Sequence, residues 1–214
     1  MHTIKEIKAI DVSHHNGVVD FKKVKAAGID GVFIRTGYGK FLQSQIDRCF
    51  YDNYDKAKSA GINVGAYHYS YAHSPAEAEK EAEAMIKIIG DRKFELPLFF
   101  DIEEKSQEKL SKKVCSDMVR AFCNRLESAG YWAGVYSYDA FFGTNLEDNI
   151  VQRYSAWVAR VENVKPKICK RYDIWQYSWK GKVDGIKGDV DMNIVYKDFP
   201  QIIARKGLNG YSGL

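Results

Sequence analysis

The sequence predicts an α/β fold, and three observations predict it. A short motif recurs as Ala26-Ala27-Gly28-Ile29-Asp30-Gly31-Val32-Phe33, Ser59-Ala60-Gly61-Ile62-Asn63-Val64-Gly65-Ala66-Tyr67 and Ser128-Ala129-Gly130-Tyr131-Trp132-Ala133-Gly134-Val135-Tyr136. Each copy follows a Lys- or Glu-rich helical stretch, puts Gly where a helix C-cap belongs, then opens an apolar strand. Strand-like apolar runs lie near 7–12, 31–36, 63–69, 98–103, 132–137, 156–160, 173–177 and 189–193. Helical segments join the first five, and shorter connections with weak helical signal join the last three. Helix, stop and strand in repetition is the grammar of βα units with parallel strands. Eight parallel strands favour closure, so the expected architecture is an irregular TIM-like β/α barrel with short connections between the last three strands. An open doubly wound sheet is the runner-up, and no Gly-rich phosphate loop supports a nucleotide-binding version of it.

Taken in order, the elements carry their own signals. The first strand, Ile7-Lys8-Ala9-Ile10-Asp11-Val12, puts Asp11 near its end on the face opposite Ile10 and Val12. The second turns Arg35 inward. On the third, Gly65, Tyr67 and Tyr69 share one face, and His68 falls on the other as a structural residue. Ser74-Pro75-Ala76-Glu77 is a capping box with Pro at the first helical position, opening a helix to about Gly90. The fourth strand, Leu96-Pro97-Leu98-Phe99-Phe100, ends in Asp101-Ile102-Glu103. Leu110, Val114, Met118, Phe122 and Leu126 recur every four residues and give the next helix one apolar face, which stops at Gly130. Gly134 and Tyr136 share a face of the fifth strand. The last strand sets Asp189, Asp191 and Asn193 opposite Val190 and Met192. One domain is expected over 1–204, with the Gly-rich segment 205–214 a terminal tail or the start of a linker.

Bulk properties bound the function. The chain has 214 residues, 45% hydrophobic and 28% charged, enough for one large core. A net charge of +4 without a basic stripe argues against nucleic acid as a partner, and no apolar run reaches membrane-spanning length. Cys49, Cys115, Cys123 and Cys169 show no metal-binding spacing, and free thiols are the expectation. His14 and His15 follow the first strand without a third ligand at recognisable spacing, so no metal or other cofactor is expected. The first residues, Met-His-Thr-Ile-Lys-Glu-Ile-Lys, have no apolar signal core. The expectation is synthesis in the cytoplasm as a monomer, with release by another route if the protein acts outside the cell.

Three strands thus alternate acidic-in with apolar-out. In a closed barrel the first and last strands are neighbours, so Asp11 and Asp191 can meet, and Asp101 and Glu103 project from the same end. Clustered carboxylates at a strand mouth suit acid/base work on a glycosidic bond, which needs a proton donor and a negative partner. Tyr67, Tyr69 and Tyr136, with Trp157, Trp175 and Tyr177, would line a cleft for flat, polar-edged rings. Arg35 would balance the acids.

These residues resemble the family 25 glycoside hydrolases, the Chalaropsis-type lysozymes or N-acetylmuramidases common in phage endolysins. The resemblance rests on Asp11-Val12-Ser13-His14-His15-Asn16-Gly17, Gly65-Ala66-Tyr67-His68-Tyr69, Asp101-Ile102-Glu103, Trp175-Gln176-Tyr177 and Val190-Asp191-Met192-Asn193, in family order. It implies a modified β/α barrel that hydrolyses the β-1,4 bond between N-acetylmuramic acid and N-acetylglucosamine of peptidoglycan with retention. It further implies Glu103 as general acid/base, with Asp101, Asp11 and Asp191 completing the catalytic centre. Tyr67, Tyr69, Tyr136, Arg35, Trp157, Trp175, Asp189 and Asn193 are the expected substrate-binding residues. The nucleophile, an Asp or the substrate's own acetamido group, stays open. Two rival classes are a wall carbohydrate-binding barrel without catalysis and a metal-dependent barrel enzyme or peptide-stem amidase.

Overall fold

The computed structural model describes residues 6–161 and 164–213. The first five residues of the N-terminal stretch discussed above lie outside them. Eight strands close into one barrel in chain order: β1 (Ile7–Val12), β2 (Gly31–Tyr38), β3 (Asn63–Tyr69), β4 (Leu98–Asp101), β5 (Ala133–Tyr138), β6 (Ser155–Ala159), β7 (Ile174–Gly181) and β8 (Val190–Val195). The helices are α1 (Phe21–Ala26), α2 (Phe50–Ser59), α3 (Pro75–Ile89), α4 (Lys112–Ser128), α5 (Asp139–Thr144), α6 (Ile150–Arg153) and α7 (Phe199–Lys206).

One strand direction differs from the expectation. β8 runs antiparallel to both β7 and β1, while the other pairs are parallel. The reason is loop length. Residues 182–189 link β7 to β8 without a helix, whereas a parallel return needs a crossover of about a dozen residues or more. Asp191 therefore reaches the mouth from the amino end of its strand, and Asp11 and Asp191 are direct cross-strand partners.

Two hydrophobic layers hold the barrel. Outside, the helices pack on residues such as Ile10, Val32, Ile34, Val64, Phe100 and Val135. The periodic face of α4 lies here, with Met118, Phe122 and Leu126 buried and Phe100 stacked 4.4 Å from Phe122. Inside, Phe33, Phe99 and Trp157 fill the lumen, all fully buried. Large opposes absent across the ladder: Phe33 pairs with Gly65, and Phe99 with Gly134. A Cβ on Gly65 would meet the Phe33 ring at 2.6 Å, and one on Gly134 the Phe99 ring at 2.4 Å. These two glycines make room for the aromatic plug on which the mouth rests.

Helix α3 begins as expected at Ser74, whose hydroxyl accepts from the Glu77 backbone N–H. The reciprocal arm is displaced by one residue, because the Glu77 carboxylate takes the N–H of His73 instead. The segment read as a tail packs against the base of the barrel. Asn209 is fully buried, accepts from the Trp132 N–H at 2.7 Å and donates to the Leu96 carbonyl at 3.0 Å. No helix among the described residues is long and apolar enough to cross a membrane.

Candidate active site

A cleft of about 260 Å³ opens at the barrel mouth. Asp11, Asp101, Glu103 and Asp191 line it together with Tyr67, Tyr69, Tyr136, Trp157 and Arg35. Strand parity brings the acids together. Phe100 and Ile102 point out to the helices, so Asp101 points in, and Glu103 follows just beyond the end of β4.

The carboxylates differ in what supports them. Asp11 is buried, and one of its oxygens receives two amide donors, Gln176 Nε2 at 2.9 Å and Asn193 Nδ2 at 2.8 Å. Burial raises its pKa to about 6, with the two amides restraining the rise. Asp191 receives the same Gln176 amide at 3.5 Å, and burial followed by the Asp11 charge pushes it up to about 8. Glu103 is pushed up to about 7 by burial and then by the charges of Asp11 and Glu104. Asp101 is raised well above the usual carboxylate range, by burial first and then by the charges of Glu103 and Asp11, and its Oδ1 has no partner among the described residues. The set titrates together, so protons are shared among its members.

The aromatic expectations divide. Tyr67 and Tyr69 stand in the cleft, the latter donating to Glu104 at 2.9 Å. Tyr136 donates to Gln176 Oε1 at 2.9 Å. Trp157 forms the buried floor, its indole N–H donating to Asn193 Oδ1 at 2.8 Å, and so supports the acids from below. Trp175 lies outside the cleft, because Ile174 and Gln176 take the inward positions of β7; its N–H donates to the Arg160 carbonyl. Tyr177 shares that outward parity and packs on Trp175. Asp189 also lies away, 51% exposed at its side chain and paired with Lys182 at 2.6 Å. Asn193 sits beneath Asp11 and does not reach the open cleft.

Arg35 lines the cleft, but its guanidinium is committed elsewhere. It binds Asp47 at 3.0 Å and approaches His14 Nδ1 at 2.6 Å. Asp47 also accepts the backbone N–H groups of His14 and Cys49, and these bonds hold its carboxyl below the usual range despite burial. His68 is structural, buried between Thr36 and the Gly39 carbonyl, and burial lowers its pKa to about 4. No group of three or more His, Cys, Asp or Glu suited to a metal ion occurs among the described residues.

Besides Asp47, four contributors escaped the sequence reading. Gln176 bridges Asp11, Asp191 and Tyr136. Trp179, 53% exposed, donates to the same Gln176 amide oxygen at 2.9 Å. Gln107, fully buried, ties the loops after β3 and β4: it accepts from Glu104 N–H and donates to Ser70 and to the Ala72 carbonyl. Glu81 accepts the Tyr71 N–H beneath the same loop. The inward parity of Gln176 was the available signal for the first; Trp179 follows a bulge in β7, Gln107 sits in the β4–α4 connection, and Glu81 lies on α3 and meets a loop whose path no periodicity encodes.

Residues 10–186 match the profile of the Glycosyl hydrolases family 25. An autolytic lysozyme of Clostridium acetobutylicum is 33% identical over 187 residues, covering 87% of this chain and 55% of that protein. The modular autolysin LytC of Streptococcus pneumoniae, solved in complex with a synthetic peptidoglycan ligand, superposes with a TM-score of 0.78 at 29% identity, over 89% of this chain and 47% of that one. A bacterial lysozyme from Streptomyces coelicolor gives a TM-score of 0.79 at 25% identity, covering 95% and 97%. The chain spans about half the length of the first two proteins.

Proposed function

The chain belongs to glycosyl hydrolase family 25, and from that premise we propose that it cleaves the β-1,4 bond between N-acetylmuramic acid and N-acetylglucosamine in peptidoglycan. The observation that carries the reading is one cleft holding carboxyls in two states of support. Glu103, at about 7, keeps a proton near neutral pH. Asp11, with two amide donors, is the lowest of the raised acids at about 6. A general acid and a fixed anion side by side are what glycosidic cleavage requires.

Glu103 gives its proton to the glycosidic oxygen as the bond to the leaving sugar breaks. The negative charge of Asp11, held in place by Gln176 and Asn193, stabilises the oxocarbenium-like sugar. Glu103, now ionised, takes a proton from the water that completes hydrolysis. The unpartnered Asp101 Oδ1 supports a role in binding a polar substituent of the sugar, because a buried polar atom left alone costs roughly 1–3 kcal/mol. Both the acetamido route and attack by an Asp are compatible with retention.

Cleft shape fits a polymer. Past His15, Arg35 and Tyr69 it meets a second concavity of about 410 Å³ that adds His14, Tyr38 and Tyr71. Exposed Trp179 offers a stacking face near the mouth. We further propose that the protein acts on the bacterial wall after release from the cytoplasm. Incubating the protein with purified peptidoglycan tests the reading: new reducing ends support it, and free amines without reducing ends would move the chain to the amidase class.

A further inference from the structure

We propose that the end of the barrel opposite the acids carries a second site, which binds a phosphodiester-linked polyol polymer. A concavity of about 420 Å³ lies there, where β5 and β6 begin and β8 ends. Its lining carries four cations, Arg153, Arg171, Lys197 and Lys206, against two carboxylates, Glu127 and Asp173. Arg153 is neutralised by a two-pronged bond to Glu127. Lys197 has Asp173 only at 3.9 Å. Neither Arg171 nor Lys206 forms an ion pair among the described residues.

Two ammonium groups crowd one ring. Lys197 Nζ stands 4.8 Å and Lys206 Nζ 5.1 Å from the Trp132 ring centroid. The indole is fixed, edge-on to Phe199 and bonded through its N–H to Ser155 at 3.0 Å. Two cations held at one neutral ring leave an excess of positive charge at this face, which an anion would balance. The cavity is no isolated dimple. It shares Val151, Gln152 and Arg171 with a neighbouring concavity of about 590 Å³, so its occupant is extended rather than a single compact ion.

An extended anion suits this trough, whose continuation adds Lys170 beside Glu147 and Asp148, and the choice of a phosphodiester-linked wall polymer rests on the peptidoglycan reading. The site lies at the far end of the barrel from the cleft. A chain tethered there would hold the enzyme on its substrate and raise its local concentration.

The test uses the full chain with Glu103→Gln, which leaves the wall undigested, and purified polyglycerol phosphate as probe. Binding is expected, weakening steeply with added salt. Arg171→Glu with Lys206→Glu should weaken it by at least roughly tenfold, while Arg171→Lys with Lys206→Arg should retain it. If the charge-reversed protein is unstable, Arg171→Gln with Lys206→Gln tests the same point. With Glu103 intact, the charge-reversed chain should hydrolyse phosphate-free soluble peptidoglycan at the normal rate and intact phosphate-rich walls more slowly. Unchanged polymer binding in the variants overturns the proposal, as does equal competition by inorganic phosphate or single-stranded DNA. Polymer binding without any peptidoglycan hydrolysis by the wild-type chain would leave this site standing and remove the hydrolase reading instead.

Discussion

The two walls of the cleft carry the same functional group under opposite support. On the β7–β8–β1 side, Asp11 is braced by the amides of Gln176 and Asn193, which are themselves held by Tyr136, Trp179 and Trp157. On the β4 side, the carboxylates of Asp101 and Glu103 receive no hydrogen-bond donor among the described residues, and Asp101 Oδ1 is buried alone. Burial raises the pKa on both sides, but only one side has donors that favour the ionised form. Hydrogen-bond supply separates Asp11, at about 6, from Glu103, at about 7, whereas Asp191, reached by the Gln176 amide only at 3.5 Å and facing the Asp11 charge, rises to about 8.

The largest test of this contrast removes the acid. Glu103→Gln keeps the shape of the β4 wall and should cut reducing-end release by roughly 10²–10⁴, the usual worth of general acid/base catalysis. Near wild-type rates in a folded protein would take Glu103 out of the chemistry. A second test crosses the cleft. Asp11→Asn removes the charge that, after burial, most raises Glu103. Residual activity should fall, and its basic limb should shift to more acid pH because Glu103 then loses its proton sooner. A basic limb that stays in place would show that burial alone sets the Glu103 proton.

A third test weakens the brace and leaves the acids in place. Asn193→Ala removes a donor that favours ionised Asp11, so the Asp11 pKa should rise above about 6. The acid limb of the pH–rate profile should then move to higher pH, with a loss near neutrality of roughly tenfold, about the worth of one charge-assisted hydrogen bond. An unmoved acid limb would mean that Asp11 need not be ionised.

The smallest effect concerns stability. Glu81, buried behind the β3–α3 loop, is raised by burial from 4.5 to about 7. The folded state then holds its proton more tightly than the unfolded state, so stability is greatest below about 4.5 and declines as pH rises through about 7. Glu81→Gln should leave thermal stability near pH 4.5 unchanged and raise it at pH 8 by roughly 1–3 kcal/mol. Parallel stability curves for the two proteins would contradict this.

Much of this arrangement was legible because alternation in a strand is rigid. Asp11, Asp101 and Asp191 each sit between apolar neighbours, and that pattern alone turns them to one side. Gly65 and Gly134 were legible for the same reason. Parity failed on β7, where Ile174, Trp175, Gln176 and Tyr177 are all acceptable in either layer; the bulge after Gln176 also breaks the register. The direction of β8 was missed because strand periodicity carries no polarity. Asp47 and Gln107 lie in connections between strands and helices, and Glu81, on α3, meets the Tyr71 N–H of a loop; such contacts follow the path of the backbone and not any repeat. Asp189 continued the alternation on paper, yet it precedes β8 and turns out to Lys182.

The antiparallel closure by β8 has a consequence for how the protein is made. Asn193 and Asp11, hydrogen-bonded in the finished cleft, are 182 residues apart in the chain. The Asp11 brace cannot exist until nearly the whole domain has been synthesised and the last strand has slotted beside the first. Contacts so distant in sequence form late, after the local βα units. A nascent or truncated chain with β1–β7 folded would still lack Asp191 and the Asn193 amide, and with them half of the cleft's charge balance. The charge balance of the cleft is thereby tied to closure of the barrel by its last strand.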